Sequence, residues 1–232
     1  MDKKFFNLIF GIFFNITLII WIPIVCAASG EMVLTEIQTR YEKTNDLEAN
    51  FIQEYIGKVM KQANRGEGKV YFKKKGMMRW EYRVPYQKLI SDGQTLWYYQ
   101  PDEKQVLLSD VSKVLKEYGF LMGEGDLRRD FKLIQMKESK SLNENIYLLE
   151  LMPKQPHPAL SKLVLTVEQK NFYIIQTDIF DEVGNVTRTR FSDIKINTNL
   201  PLHLFRFTIP PGVEVLKMEG TPNPPSVKKE KN

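Results

Sequence analysis

The chain has 232 residues, of which 43% are hydrophobic, 12% aromatic and 26% charged; this is typical of one globular domain and excludes a disordered or fibrous chain. A single cysteine excludes a disulfide scaffold and a thiolate zinc cluster, and two histidines are too few for a multi-histidine metal site. Of the five net positive charges, one lies in residues 1–28 and two in residues 217–232. The remaining two, in residues 29–216, are too few to indicate the basic surface that nucleic-acid binding requires.

The first 28 residues are typical of a secretory signal peptide. Lys3 and Lys4 precede a nearly unbroken apolar run over residues 5–25, which ends in the small residues around Ala27. An uncleaved anchor helix is one alternative, since the run is long enough to span a bilayer. A lipoprotein acylated on Cys26 is another, but Val25 stands where that signal requires Gly, Ala or Ser. We expect export of the chain and cleavage of residues 1–28.

The rest of the chain divides into a folded domain at residues 29–216 and a tail at 217–232. The tail combines prolines with a Lys/Glu ending and cannot bury apolar surface, so it is expected to be disordered. Within the domain, apolar residues recur at helical spacing between Glu31 and Thr44, which predicts an amphipathic helix.

After that helix the apolar period changes to two, which predicts strands. A tight hairpin is predicted where residues 87–91 and 95–99 flank Asp92-Gly93, and a turn is predicted over residues 181–185. The alternation stops over residues 109–129. A short helix is predicted there, together with a cluster of apolar residues at 120–122. The predicted strands lie near residues 47–51, 70–72, 78–82, 87–91, 95–99, 105–108, 131–136, 146–151, 163–167, 173–178 and 186–196, with a last edge segment at 209–213.

These elements predict a mainly β, α+β fold: an antiparallel sheet that curls without closing and leaves a concave face. That face needs a cover. The only candidates are the helix at residues 31–44 and the segment at residues 109–129.

No catalytic, nucleotide-binding or metal-binding motif is present in the sequence. Gly123-x-Gly125 lacks a third glycine and a preceding strand, so loop flexibility explains it better. We therefore expect no enzyme activity, no metal and no other cofactor. A secreted hydrolase of unknown type remains an alternative.

Large, soft side chains are concentrated in residues 77–101, which hold six aromatic residues, including Trp80 and Trp97, besides Met77 and Met78. A packed core would explain any one of these residues. Their density on a curved sheet also suits a pocket for apolar guests of variable shape.

A family resemblance is carried by the same stretch and by the end of the domain. Its residues are Gly68, Phe72, Met78, Trp80 and Pro85, then Ser91-Asp92-Gly93, Leu96-Trp97, Tyr99 and Pro101, and finally Phe205-x-Phe207-x-x-Pro210-x-Gly212-Val213. This pattern resembles that of the periplasmic outer-membrane lipoprotein carriers (LolA type) over about residues 31–216.

The resemblance implies an unclosed β-barrel under a helical lid, with an apolar cavity that shelters lipoprotein acyl chains across the periplasm. By position, Met78 and Trp80 match cavity-lining residues of the family, and the family's lid-latching arginine aligns with Lys74. Lys74 offers a point charge without the planar fork of arginine, but it could donate to carbonyls of residues 120–122. The residues expected to line the acyl-chain cavity are Phe51, Val70, Phe72, Met78, Trp80, Trp97, and from the lid Leu121 and Met122.

The resemblance also implies two protein partners for a monomeric carrier. An inner-membrane ABC lipoprotein-release complex would load it, and an outer-membrane lipoprotein receptor would unload it. Seven basic residues between Lys69 and Lys88 form either a solvated strand face or a docking patch for an acidic partner. In the second interpretation Lys73, Lys75 and Arg79 are the docking residues.

Two other proteins with this fold remain alternatives. The outer-membrane receptor is itself lipid-anchored, which Val25 before Cys26 disfavours. A periplasmic lipid-binding regulator would need a second domain, for which this chain is too short.

Overall fold

The computed structural model describes residues 29–58, 63–111, 119, 125–141 and 144–217. In these residues two α-helices accompany one large sheet: α1 at Gly30–Lys43 and the short α2 at Leu127–Asp130, besides short 3-10 helices at Pro101–Glu103 and Leu202–Phe205. The strands are β1 Asp46–Ile56, β2 Ala63–Lys73, β3 Met77–Val84, β4 Gln87–Asp92, β5 Thr95–Gln100, β6 Gln105–Asp110, β7 Phe131–Ser141, β8 Glu144–Pro153, β9 Lys162–Glu168, β10 Ile174–Phe180, β11 Val186–Ile196 and β12 Glu214–Lys217.

The twelve strands of the described residues form one sheet in the order β12-β6-β5-β4-β3-β2-β1-β11-β10-β9-β8-β7. Two meanders, β2 to β6 and β7 to β11, are joined through the pairing of β1 with both β2 and β11. The terminal strands β7 and β12 do not pair with each other, so the barrel is unclosed, as predicted.

The end of the chain departs from the sequence expectation. Residues 209–213 form no strand, and the edge strand is β12, which pairs parallel to β6 rather than antiparallel. The prolines at 210 and 211 lack the N–H that a ladder needs, so pairing begins only after them.

Both predicted turns are confirmed. Between β4 and β5, Gly93 has φ of +98° and Asp92 Oδ1 accepts from the backbone N–H groups of Gln94 and Thr95, each at 2.9 Å. Between β10 and β11, Asp181 Oδ1 accepts from the N–H groups of Gly184 and Asn185. Short carboxylate side chains thus replace missing ladder partners inside each turn.

Helix α1 is confirmed close to its predicted bounds. The Ser29 side chain caps its N-terminus by accepting from the N–H of Met32 at 3.2 Å. Its buried stripe consists of Val33, Leu34, Ile37, Gln38 and Tyr41. None of the described helices has the length and apolar character needed to cross a bilayer.

The face of the sheet that α1 covers is called the inner face below. Its side chains form one core cluster with the apolar side chains of α1. The opposite, outer face of β3 to β6 is covered by residues 200–213, the C-terminal strap. Phe205 of the strap is 1% exposed, and Ile90 and Val106 of the outer face are fully buried.

Asp46 links the end of α1 to the strap. Its buried carboxylate lies 3.2 Å from the Lys73 ammonium and accepts from the N–H groups of Thr198 at 2.8 Å and Leu200 at 3.2 Å. One side chain therefore holds the start of β1, the end of β2 and the exit of β11 together. Because breaking a buried charge pair leaves an uncompensated charge, this corner is expected to be rigid.

Gly68 gives the first testable prediction, because a Cβ there would overlap the backbone carbonyl oxygen of Glu81 on β3. Gly68→Ala must push β2 and β3 apart, and we expect it to lower the free energy of unfolding by about 2 kcal/mol or more. Gly57→Ala is the matched control, since its Cβ would meet only Asn185 Oδ1 at 4.0 Å. Urea titration followed by tryptophan fluorescence measures both, and equal midpoints would contradict the prediction.

Candidate apolar binding site

Five of the predicted cavity residues lie together on the inner face. Strand register places Val70 opposite Trp80, and Phe72 opposite Met78. Phe51 on β1 joins them, with its ring centroid 4.7 Å from that of Trp80 in an edge-to-face contact. All five side chains are at most 2% exposed. These five residues are called the inner cluster: Phe51, Val70, Phe72, Met78 and Trp80.

The inner cluster owes its close ring packing to a glycine on β2. Gly68 lies directly opposite Phe51, and a Cβ at this position would come within 3.1 Å of the Phe51 ring. The absence of a side chain leaves room for the ring over the strand backbone. Tyr82 extends the aromatic group, with its ring centroid 4.8 Å from that of Phe51.

Trp97 corrects the predicted set. Its strand neighbours Leu96 and Tyr98 are buried on the inner face, so Trp97 points to the outer face, where its ring lies 6.4 Å from that of Phe207 in the strap. Alternation along a strand forces this arrangement. The aromatic density of residues 77–101 therefore divides between two faces, and Trp97 serves the strap.

Leu121 and Met122, predicted to fill the cavity from the lid, lie outside the described residues. So does most of the segment that was expected to carry them. Their contribution stays a prediction.

Helix α1 is the cover that the described residues show. Its N-terminal end lies at β7, because a Cβ on Gly30 would come within 3.3 Å of the Met136 Cβ. Its middle is tied to α2, where the N–H of Leu127 donates to Gln38 Oε1 at 2.9 Å. Towards its C-terminal end the buried Tyr41 hydroxyl accepts from the N–H of Ile174 at 3.1 Å, and burial raises the pKa of Tyr41.

Lys74 contacts α1. Its Nζ donates to the carbonyl oxygen of Glu42 at 2.6 Å, and its own backbone N–H donates to the carbonyl of Asn45. A cation that bonds one of the last carbonyls of a helix satisfies an unpaired acceptor and complements the helix dipole. The position that aligns with the family's arginine thus holds the C-terminal end of α1.

The three predicted docking residues differ in accessibility. Lys75 is exposed in the turn between β2 and β3. Lys73 pairs with the buried Asp46. Arg79 lies on the outer face, where it donates to Glu81 Oε1 at 2.8 Å and to the carbonyl of Leu204 at 2.9 Å. Two of the three basic groups therefore serve internal contacts.

Sequence reasoning missed several inner-face residues that the strand pattern could have indicated. Tyr82 shares the alternation of Met78 and Trp80, and Leu47 and Ala49 share that of Phe51. The buried polar residues Gln53 and Gln87 carry no such signal, because a polar side chain at an inward position is indistinguishable from one at a strand end. Within the described ranges no three His, Cys, Asp or Glu side chains converge as metal ligands would.

Comparison with known proteins shows which family this chain resembles. The sequence model of the family described as outer membrane lipoprotein carrier protein LolA matches residues 42–208. An outer-membrane lipoprotein carrier protein from Nitrosospira multiformis is 28% identical over 178 residues, which cover 75% of this chain and 84% of that protein. One from Nitrosomonas europaea is 29% identical over 201 residues, covering 84% and 93%.

Among solved structures, an uncharacterized conserved protein from Thermus thermophilus shares the fold. It superposes with a TM-score of 0.53 at 14% sequence identity, over 82% of this chain and 100% of that chain.

The Lys74 contact predicts a local effect on α1. Lys74→Met removes the cation from the helix C-terminus, and we expect a loss of about 0.5–1 kcal/mol in the free energy of unfolding. Amide hydrogens of residues 39–43 should exchange faster in this variant. Lys69→Met, an exposed lysine on β2, is the control and should change neither measurement. Unaltered exchange in Lys74→Met would contradict a latching role.

Proposed function

This chain belongs to the outer-membrane lipoprotein carrier (LolA) family, and we propose that it shelters the acyl chains of lipoproteins between α1 and the inner face. The carrier would work in the periplasm, after removal of residues 1–28 as a signal peptide, with residues 29–216 as the binding domain. It would act as a chaperone and catalyse no reaction. Lipoproteins released from the inner membrane would be delivered to the outer membrane.

The observation that carries this proposal is that a separate helix, α1, buries its apolar stripe in the same core as the inner cluster. Val33, Leu34 and Ile37 of α1 pack in the same core as the inner cluster and are at most 1% exposed. Within the described residues, the chain joins the helix to the sheet at its C-terminal end, through Thr44 and Asn45. A cover attached at one end can leave without unfolding the sheet.

The energies allow an acyl guest to displace this cover. Exposing three aliphatic side chains costs about 1.5–3 kcal/mol each, or roughly 5–9 kcal/mol together. A fatty chain of about fifteen methylenes has on the order of 12 kcal/mol to gain from leaving water. A guest with two or three such chains therefore exceeds the cost of opening. The helix returns when the guest leaves, so the empty carrier does not expose its apolar face.

Transfer of the lipoprotein between the two membranes would depend on the same balance between burial of α1 and burial of the acyl chains. Reinserting α1 favours release of the guest, which lowers the net affinity of the carrier. We propose that the carrier is loaded by an inner-membrane ABC lipoprotein-release complex and unloaded by an outer-membrane receptor that keeps its own site open. Transfer from the carrier to this receptor would then run downhill without a nucleotide bound to the carrier.

Helix displacement can be tested with a reversible covalent link. In the mature protein purified from the periplasm, the pair Gly30→Cys and Met136→Cys would bring two Cβ atoms to about 3.3 Å, close to disulfide geometry. The end of the Leu133 side chain must turn aside, since it lies 2.5 Å from the new Cβ. We expect the oxidised protein to lose most of its binding of a triacylated lipopeptide, and the reduced protein to regain it.

The single variant Gly30→Cys controls for the substitution itself, because oxidant should not change its binding. Undiminished binding by the oxidised double variant would show that acyl chains enter without movement of α1.

Loading gives a second test, at the exposed Lys75. If this ammonium steers the carrier to an acidic surface of the release complex, the loading rate should fall in the order wild type, Lys75→Gln, Lys75→Glu. The difference should disappear at high salt, where exposed charges are screened. The measurement is lipoprotein transfer from proteoliposomes that contain the release complex. Equal rates for the three proteins at low salt would exclude this steering role.

A further inference from the structure

A band of polar side chains crosses the inner face next to the inner cluster. Six residues make up this polar band, and each is at most 8% exposed. They are Gln53, Tyr82, Gln87, Tyr98, Thr177 and Thr189. Buried amides and hydroxyls are costly in an apolar site, so their concentration in one band requires an explanation.

Strand register fixes where the band lies. Gln53 follows Phe51 by two residues on β1, and Tyr82 follows Trp80 by two on β3, so each is the next inward side chain along its strand. Across the sheet, Gln53 lies opposite Thr189 and Tyr82 lies opposite Gln87. The band therefore borders the inner cluster on one side, and the inner face as a whole is amphipathic.

Most side chains of the polar band form hydrogen bonds with one another. The Tyr82 hydroxyl donates to Gln53 Oε1 at 2.9 Å, and Gln53 Nε2 donates to Thr189 Oγ1 at 3.1 Å. The Tyr98 hydroxyl donates to Gln87 Oε1 at 2.7 Å. Burial raises the pKa of Tyr98 to about 12, so the hydroxyl keeps its proton at neutral pH.

Two atoms of the band have no hydrogen-bond partner in the part of the chain that the structure describes. They are Gln87 Nε2 and, at the far end of the band, Thr177 Oγ1. Gln87 is 5% exposed, and Tyr98 fixes its carbonyl oxygen, so the NH₂ group is held in place as an unused donor. Leaving such a donor buried and unpaired is unfavourable unless something else accepts from it.

We propose that Gln87 Nε2 donates to an ester carbonyl oxygen of the diacylglyceryl group of a bound lipoprotein. This inference rests on the proposed function and names the part of the guest that the polar band would receive. The ester carbonyl is joined directly to the first methylenes of the acyl chain. A chain lying along the inner cluster therefore carries its carbonyl to the border where the band begins.

The chemistry of the band favours a neutral acceptor. Its six side chains offer amides and hydroxyls only, without a cation to compensate a phosphate or carboxylate. A charged group placed there would lose its hydration without a partner. An ester carbonyl is uncharged and accepts one or two hydrogen bonds, which matches a single amide donor.

The test compares two lipopeptides and three proteins. One lipopeptide carries N-palmitoyl-S-dipalmitoylglyceryl cysteine, and the other has ether links in place of its two glyceryl esters. We expect the wild type to bind the ester compound about fivefold more tightly, as one neutral hydrogen bond allows. Gln87→Leu should bind both equally, with its affinity for the ether compound unchanged.

Gln100→Leu is the matched control for a lost glutamine. Its Nε2 already donates to the Tyr98 hydroxyl and its Oε1 already accepts from Gln105, so the ester preference should persist. Urea unfolding checks the fold of each variant. Gln87→Leu removes the unpaired donor but also the oxygen that accepts from the Tyr98 hydroxyl, so we expect its urea midpoint to fall modestly and the variant to stay folded.

The outcomes separate the two proposals. If the wild type binds neither lipopeptide, the proposed function fails. If it binds both with equal affinity, or if Gln87→Leu weakens both to the same extent, the function stands and the role of Gln87 is excluded.

Discussion

The structure depends on keeping an apolar sheet face away from water with a cover that is held by few polar contacts. Phe51, Trp80 and their neighbours are stabilised by burial in the core that they share with the apolar side chains of α1. The polar contacts that hold α1 include single hydrogen bonds from Lys74 to Glu42, from Leu127 to Gln38 and from Ile174 to Tyr41. Apolar burial is non-directional. An acyl chain could therefore take the place of the apolar helix side chains in this core.

The outer face of β3 to β6, unlike the inner face, is covered by the C-terminal strap. Strand alternation sends Trp97 and Arg79 outward, where the strap covers them and Arg79 bonds the carbonyl of Leu204. Asp46 anchors the beginning of this strap beside the end of α1. The half of the sheet that carries the inner cluster is therefore stiffened from outside, which lets the inner cover move while strand register is preserved. A rigid sheet and a displaceable helix would be complementary parts of the proposed carrier.

The polar band refines this view of the inner face. A purely apolar cavity would bind the tails of a guest but would leave the depth of insertion undefined. A buried donor at the border, such as Gln87, can fix that depth because the carbonyl groups of an acyl guest occur at one end of each tail. Hydrogen bonding in a low-dielectric site is also more directional than apolar burial. The inner cluster, which would bind the acyl chains, and the polar band, which would position their ester groups, then lie in adjacent rows of the same strands.

The sequence by itself determined the helix at α1, the alternating strands, the two carboxylate-stabilised turns and the family, because these depend on local periodicity and on residues close in the chain. It also indicated Phe51, Val70, Phe72, Met78 and Trp80. Only the tertiary structure decided that Trp97 belongs to the outer face, that Lys73 and Arg79 are engaged in internal contacts, and that the last edge strand runs parallel at residues 214–217. Those facts depend on which distant strands and loops meet, and pairings such as Asp46 with Leu200 or Gln53 with Thr189 are set by long-range register that no local pattern encodes.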